Sequence, residues 1–510
     1  MGDLRLRGWS LVIACLALGA LQVLAFAPFE YWPLAFISLG LYFYMTHSLK
    51  PKMAFFAGLA YGYGLYGAGV SWVYVSLTTY GGMPVWMGII AVLGFAGILA
   101  LFIASASGVT AILFPKRFRL VFISFVWVIF EWMKSWILTG FPWLDIGYTQ
   151  TPSWLFSWAP IGGIYLISFI VVTISSLLAL ALRLYLSKQK SMALVALTTI
   201  VLLLLMSFMS DRASWSEPIG SPVDIGIVQA NVPINEKWQI DVRERVIEKY
   251  QSLSQQLKAQ QNIDLLVWPE TALPLYMQQT DVDFWNRITP NNTALLTGIM
   301  DSPSIAQGNL DESYNAAVLS CNGQTQIYRK RHLVPFGEYL PLRSLFNWVL
   351  EYLELPMSDF SSWQGAQSLN CGAIKVGLSI CYEDAFAAEY RKFVGDATVL
   401  VNISEDAWFG DSLAPHQRRQ MAQMRARELS RPMVRSANSG PSLFIDQRGT
   451  LLAATAQFEI AVLARQVQAH TGDTPFKQYG NWIIGVSFLM LFGWVAWSRF
   501  SIINGKKRPR

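Results

Sequence analysis

The sequence predicts a polytopic α-helical membrane bundle of about eight spans joined to one layered α/β domain. Three observations lead there. Hydrophobic residues make up 53% of the 510 residues and charged residues only 14%, against about 25% charged in an ordinary soluble protein. The first 210 or so residues are almost continuously apolar. From about 220 the texture changes to short β-type runs separated by helical patterns, and a last apolar run follows near the end. The expected division is residues 1–212 for seven spans, 220–470 for the α/β domain, 478–500 for an eighth span and 501–510 for a basic tail.

A spanning helix needs about 20 apolar residues. Such runs lie near 9–26, 33–48, 54–74, 85–113, 120–138, 158–186, 192–209 and 481–499. The first run resembles a signal peptide in length. However, Phe26-Ala-Pro-Phe29 is a poor cleavage site and further apolar runs follow directly, so it is read as a helix. Glu131 lies inside the fifth run with Lys134 close behind. An ionisable group at that depth is a functional candidate, but the i, i+3 spacing also lets the two pair near a helix end, and pairing is the preferred reading.

The net charge of +6 does not point to nucleic acid, because the basic residues sit in short clusters between apolar runs. Arg5 and Arg7 precede the first span, and Lys50 and Lys52, Lys116, Arg117 and Arg119, Lys188 and Lys190, and the tail from Arg499 to Arg510 follow the second, fourth, sixth and eighth. The intervening loops near 27–32, 75–84 and 139–157 contain no Lys or Arg. Basic residues are retained on the cytoplasmic side. Both termini are therefore expected in the cytoplasm, with the segment between spans seven and eight outside. Phe141-Pro-Trp143 and Tyr80 in the outer loops suit the headgroup level.

Within 220–470, strands are expected at 223–231, 263–269, 294–300, 314–320, 324–329, 374–381, 397–403, 442–446 and 459–466. Val246, Tyr250, Leu253 and Leu257 recur at helical spacing over 241–260, and a basic helix covers roughly 415–431. Strands with interspersed helices indicate layered α/β packing. About 250 residues suffice for a full core. Residues 340–356 are too apolar for a solvated loop and serve either as core or as a membrane-facing entrance. Four cysteines are too few and too scattered for a disulfide scaffold. Cys321 and Cys371 each precede turn residues, so they either bridge or remain free thiols at strand ends.

Three strand ends carry reactive groups. Leu265-Leu-Val-Trp-Pro-Glu-Thr271 delivers an acid, Tyr328-Arg-Lys-Arg-His332 a cation, and Gly377-Leu-Ser-Ile-Cys-Tyr-Glu-Asp384 a thiol. A thiol needs a base to take its proton and a cation to steady developing negative charge. Each residue also has a plain reading: Cys381 could pack in a core, Lys330 could belong to a solvated basic stretch, and Glu270 could favour a helix N-terminus. Their coincidence, in the order acid, base, thiol, favours chemistry.

This arrangement resembles the nitrilase superfamily, whose members use a Glu-Lys-Cys triad on an α-β-β-α sandwich. Over nearly its whole length the chain is similar to the apolipoprotein N-acyltransferase family. The matching motifs are Val228-Gln-Ala-Asn-Val-Pro233 with Lys237-Trp238, Trp268-Pro-Glu-Thr271, Tyr314-Asn315, His332-Leu-Val-Pro-Phe-Gly-Glu338, Ile380-Cys-Tyr-Glu383 and Asp406-Ala-Trp-Phe-Gly410. The resemblance implies Glu270 as general base, Lys330 as oxyanion stabiliser and Cys381 as nucleophile. It implies Glu338 and Glu383 as supporting acids, and Trp238 and Tyr382 as pocket residues. Glu405 stands where Asn is expected, and Asn438-Ser-Gly440 where Asn-Asn-Gly is expected.

The implied reaction is ping-pong acyl transfer. A phospholipid gives an acyl chain to Cys381, and the thioester passes it to the α-amino group of the diacylglyceryl-cysteine of an apolipoprotein. The resemblance implies no metal and no cofactor, no nucleic-acid partner, a monomer, and a bacterial inner membrane with the catalytic domain in the periplasm. Two rivals predict other features. A membrane-tethered amidohydrolase predicts a polar, open pocket, against the apolar 340–356 segment. A transporter predicts charged groups deep in several spans, where little beyond Glu131 is found.

Overall fold

The computed structural model describes residues 8–239, 241–289, 293–305, 312–341, 344, 360–365 and 368–503. These form two compact units, one of residues 8–74, 85–213 and 475–503 and the other of residues 75–84 and 214–474.

In the first unit, helices occupy the expected apolar runs: Trp9–Gln22, Pro33–Thr46, Pro51–Gly69, Val85–Leu113, Arg119–Lys134, Ala159–Leu186, Lys190–Ser210 and Trp482–Ile503. Among the described residues, four helical stretches are long and apolar enough to cross a membrane: Val85–Leu113, Trp154–Leu186, Lys190–Ser210 and Trp482–Phe500. Trp9–Gln22 and Pro33–Thr46 have only 14 residues each, about 21 Å at 1.5 Å per residue. Small residues let the helices approach closely. A Cβ at Gly19 would overlap the Tyr61 carbonyl, and one at Gly64 the Leu16 carbonyl, so Trp9–Gln22 and Pro51–Gly69 meet backbone to backbone.

Buried charge in this unit is paired differently from the expectation. Lys134 Nζ lies 2.8 Å from Asp145 and donates to Trp143 O at 2.6 Å and to Tyr66 Oη at 3.0 Å. Glu131 Oε1 instead accepts from Trp127 Nε1 and from Ile146 N, both at 2.9 Å. The buried segment around 143–151 folds back beside Arg119–Lys134 and brings Asp145, so the lysine's close partner is this aspartate rather than Glu131. A buried ammonium requires such a partner.

The second unit is a pair of six-stranded sheets. In the first sheet the order is β13-β2-β3-β4-β5-β6. Its strands are β2 Val223–Gln229, β3 Leu265–Val267, β4 Ala294–Asp301, β5 Tyr314–Cys321, β6 Gln324–Arg329 and β13 Ala461–Val467. The second has the order β12-β11-β10-β9-β8-β7. Its strands are β7 Leu369–Cys371, β8 Ile374–Ile380, β9 Val399–Ser404, β10 Met433–Ala437, β11 Leu443–Ile445 and β12 Leu451–Ala454. A short ribbon pairs β1 Glu217–Pro218 with β14 His470–Thr471. In each sheet the centre is parallel, β2-β3-β4 in one and β8-β9-β10 in the other. Parallel strands buried on both faces read as continuous apolar runs, as Leu265-Leu-Val267 and Val399-Leu-Val401 do.

Helix Arg243–Gln260 covers the first sheet through Val246, Tyr250 and Leu257, which pack in one core with Val228, Leu266 and Trp268. Helix Ala414–Leu429 covers the second sheet at β10 and β11. Ser436 Oγ of β10 donates to Val267 O of β3 at 3.1 Å, linking the two sheets. The result is an α-β-β-α sandwich. Strand β10 was not anticipated, because Arg435 and Ser436 break its apolar pattern. Both are buried, and Arg435 is satisfied by Asp406.

Cys321 and Cys371 form a disulfide that joins β5 of one sheet to β7 of the other. Segment 75–84, expected merely as a loop between spans, packs in this unit. Ser76 Oγ donates to Trp408 O at 2.8 Å, and the Tyr80 ring lies 5.7 Å from that of Trp408. Of the apolar 340–356 segment, residues 342–343 and 345–356 lie outside the described residues.

Candidate active site

Glu270, Lys330 and Cys381 each lie just beyond a strand of the sandwich, β3, β6 and β8 respectively. The chain turns sharply there. Thr271 has φ 46° and Cys381 φ 50°, left-handed values that cost a non-glycine residue roughly 1–3 kcal/mol. Glu383 holds the cysteine turn in place. Its Oε2 accepts from Ile380 N at 2.7 Å and Tyr328 Oη at 2.9 Å. Its Oε1 accepts from Arg331 N at 2.7 Å and His332 N at 3.3 Å. One buried carboxyl thus clamps the cysteine turn of the second sheet to the Lys330 segment of the first. Burial raises the Glu383 pKa despite these donors.

The Lys330 ammonium sits 2.9 Å from Glu338 Oε1 and 3.6 Å from Glu270 Oε1. Asn315 Nδ2 donates to both of those oxygens, at 2.7 Å to Glu270 and 2.8 Å to Glu338. Glu405 N holds the second oxygen of Glu270 at 2.8 Å, and Val334 N that of Glu338 at 2.8 Å. All three charged groups are buried. Burial pulls the Lys330 pKa down, but Glu338 and Glu270 overcome this and hold the ammonium above the usual lysine range. A lysine held protonated by two carboxylates is chemically fitted to steady a developing negative charge.

Burial and the nearby Glu270 push the Cys381 thiol up to about 11, while Lys330 and Arg418 act in the opposite sense. A neutral resting thiol needs a base at the moment of attack, and Glu270 is the carboxylate that leads its electrostatic neighbours.

Each residue expected on sequence grounds has a definite place. Glu338 completes the acid–lysine cluster. Tyr382 is buried beside Cys381, its ring 4.9 Å from Phe386 and 5.8 Å from His332. Trp238 is half-buried and follows Lys237, whose Nζ reaches Glu270 O at 3.3 Å and Thr271 Oγ1 at 3.0 Å.

Sequence reasoning missed several neighbours. Asn315 was noted within a motif but given no role. Lys237 pairs with Glu405 at 2.8 Å. Arg418 and Arg435 interleave with Asp384 and Asp406 at distances of 3.0, 3.4 and 2.6 Å. Burial raises the Asp406 pKa, but the two arginines more than offset this and leave it below the usual range. A charged residue in an otherwise apolar strand, such as Arg435, was the available signal.

The sandwich and its acid–lysine–thiol cluster define a nitrilase-like carbon–nitrogen hydrolase domain, and a carbon-nitrogen hydrolase family model matches residues 224–476. The model of the apolipoprotein N-acyltransferase N-terminal domain matches residues 18–177. The chain is 34% identical over 505 residues to the apolipoprotein N-acyltransferase of Nitrosomonas europaea, covering 96% of this chain and 98% of the relative. It is 35% identical over 489 residues to that of Methylococcus capsulatus, covering 92% and 94%. The chain belongs to the apolipoprotein N-acyltransferase family.

Proposed function

We propose that this protein N-acylates lipoproteins through a Cys381 thioester, with a membrane phospholipid as donor. The thiol proton passes from Sγ to the Glu270 carboxylate as the sulfur attacks the ester carbonyl. Lys330 steadies the tetrahedral oxyanion. Collapse expels the lysophospholipid, which takes the proton back from Glu270. The α-amino group of a diacylglyceryl-cysteine then attacks the thioester. An amide forms, the amine's proton leaves through Glu270, and the thiol is restored. Glu338 and Asn315 hold the charged pair in register. The observation that carries this reading is the Lys330 ammonium held between Glu338 and Glu270 in a buried cluster shared with Cys381. Exclusion of water favours passing the thioester to an amine over hydrolysis.

Both substrates are lipids of one leaflet, which suits a catalytic unit carried by apolar helices. The eight helices serve as spans, the shorter ones packed among the longer. Both termini lie in the cytoplasm and the catalytic unit in the periplasm of the bacterial inner membrane, as a monomer. Alkaline phosphatase fused after Ser210 should be active and the same fusion after Lys188 inactive; the reverse outcome rejects this orientation.

Protein incubated with phospholipid and no acceptor should gain one acyl mass on the peptide holding Cys381. Neutral hydroxylamine should remove it, and a diacylglyceryl-cysteine peptide should accept it on its amine. Cys381→Ala should show no adduct. Loss of the base in Glu270→Gln should slow adduct formation about 10²–10⁴-fold. An adduct on another residue, or acyl transfer by Cys381→Ala, overturns the assignment.

A further inference from the structure

Arg418 stands on helix Ala414–Leu429 with its guanidinium fully buried. Its Nη2 donates to Cys381 O at 2.7 Å, and its Nη1 lies 3.8 Å from Cys381 Sγ. Asp384, three residues beyond the cysteine, holds Nη2 at 3.0 Å. The guanidinium therefore touches both the strained backbone of the nucleophile and its reacting atom. Lys330 comes from the first sheet, whereas Arg418 comes from the helix over the second. The sequence offers Arg418 only as one of several basic residues on that helix.

We infer that Arg418 is a second cation at the nucleophile, a catalytic residue that supports the Cys381 thiolate as its proton leaves for Glu270. This rests on Cys381 being the nucleophile. A guanidinium is permanently charged and cannot compete for that proton. Asp384 orients it and offsets part of its charge. The charged groups acting on Sγ come from four elements: Glu270 after β3, Lys330 after β6, Asp406 after β9 and Arg418 on the helix. The Tyr382 hydroxyl lies beside the cysteine on its own turn, and Glu383 and Asp384 on that turn are bound to their own partners. Two cations thus face the sulfur, and they act against its burial and against Glu270 and Asp406.

The test reads the thiol directly and needs no lipid. In a Cys15→Ser background, Cys381 is the remaining free thiol beside the Cys321–Cys371 bridge. Iodoacetamide modification of full-length protein in detergent is followed by mass spectrometry from pH 7 to pH 11. Arg418→Met should slow modification at pH 8 about tenfold or more, equivalent to an upward shift of about one unit in the midpoint. Arg418→Lys should recover most of the rate. Below the midpoint a raised pKa and reduced access both scale the rate equally at every pH, so Arg418→Lys separates them: a lost charge is restored by Lys, whereas lost access is not. Arg418→Met leaves Asp384 buried with only its longer 3.4 Å contact to Arg435, so Arg418→Met with Asp384→Asn provides a neutral version that should show the same slowing. An unchanged rate at pH 8 in the double variant, or in Arg418→Met if it folds, or an Arg418→Lys variant as slow as Arg418→Met, overturns the inference. If the rate at pH 8 stays fixed while Cys381→Ala abolishes acyl transfer, only the role of Arg418 fails. If Cys381→Ala still transfers acyl chains, the nucleophile assignment fails as well.

Discussion

Gly298 of β4 passes so close to Glu270 that a Cβ there would lie 2.7 Å from Glu270 Cα and would overlap Thr271 N. The two segments are also tied by Gly298 N donating to Pro269 O at 3.1 Å and Leu273 N donating to Gly298 O at 3.1 Å. The turn that presents the carboxylate therefore rests on a neighbour without a side chain. Gly298→Ala should push Glu270 away from Asn315 and Lys330 and cost about 1–3 kcal/mol of stability, the usual range for overpacking. Under the proposed mechanism the acyl adduct on Cys381 should form at least tenfold more slowly, since small displacements of a general base are costly. Thermal unfolding and adduct mass spectrometry measure the two effects. A wild-type adduct rate would show that the close approach does not position the acid.

The thiol of Cys381 sets a pH dependence. Its ordinary value of 9.0 is raised to about 11 by burial and by Glu270, so the folded protein holds this proton more tightly than the unfolded chain. The resulting stability is present below about pH 9 and is lost as pH rises through about 11. For reactivity the consequence is direct. Alkylation of Cys381 should climb about tenfold per pH unit from pH 7 to pH 10, because the thiolate fraction does. A plateau starting near pH 8 or 9 would mean that Lys330 and Arg418 outweigh burial.

Much of this was legible in the sequence because the relevant signals are local. Leu265-Leu-Val267 and Val399-Leu-Val401 are apolar on both faces and read as buried strands. The residues that end Leu265-Leu-Val-Trp-Pro-Glu270 and Gly377-Leu-Ser-Ile-Cys381 stand where strands give way to turns. What escaped is relational. Asn315 matters because β5 lies beside β4 and brings its amide to Glu270 and Glu338, which no spacing reveals. Arg418, Asp384, Arg435 and Asp406 are each unremarkable as polar residues, and only the packing of a helix on the second sheet turns them into one buried network. Lys134 was matched to Glu131 by helical spacing, but a segment folding back from residues 143–151 supplied Asp145 instead.

Glu405 illustrates the same limit at a single position. The expected Asn is replaced by an acid whose charge would be costly if unpaired, and Lys237 answers it at 2.8 Å with both groups buried. Asn438 Nδ2 adds a donor to Glu405 Oε2 at 2.8 Å. Burial raises the Glu405 pKa, and Lys237 opposes this. Breaking a buried pair from one side typically costs about 3–5 kcal/mol, whereas replacing both partners is far milder. Lys237→Met and Glu405→Gln should each destabilise the protein strongly, and the double variant should recover much of the loss. Denaturant unfolding of the four proteins gives the coupling, and strictly additive losses would mean that the pair is not energetically linked. Since Lys237 also reaches Glu270 O and Thr271 Oγ1, the double variant should regain stability without regaining full acylation.

The Cys321–Cys371 bridge stands at one end of the two strands whose other ends lead to Lys330 and Cys381. From Cys321 the chain turns and runs along β6 to Lys330, and from Cys371 it turns and runs along β8 to Cys381. β6 and β7 are the outermost strands of their sheets. Gln326 and Asn370 reinforce the bridge, with Gln326 Nε2 donating to Asn370 O at 2.6 Å and Asn370 N donating to Gln326 Oε1 at 2.9 Å. Each strand is six or seven residues long, about 20 Å at 3.3 Å per residue. The staple is thus remote from Lys330 and Cys381, yet it sits one turn before each of the strands that lead to them. Denatured, unreduced protein should offer two alkylatable cysteines, Cys15 and Cys381, and four after reduction; four before reduction would exclude the bridge. Replacing both Cys321 and Cys371 by Ser should lower stability by about 2–4 kcal/mol. Acylation should fall much less than in Glu383→Gln, because the Glu383 clamp on Ile380, Arg331 and His332 acts at the site itself. A larger loss of acylation from the bridge than from the clamp would place control of the site in the spacing of the two sheets.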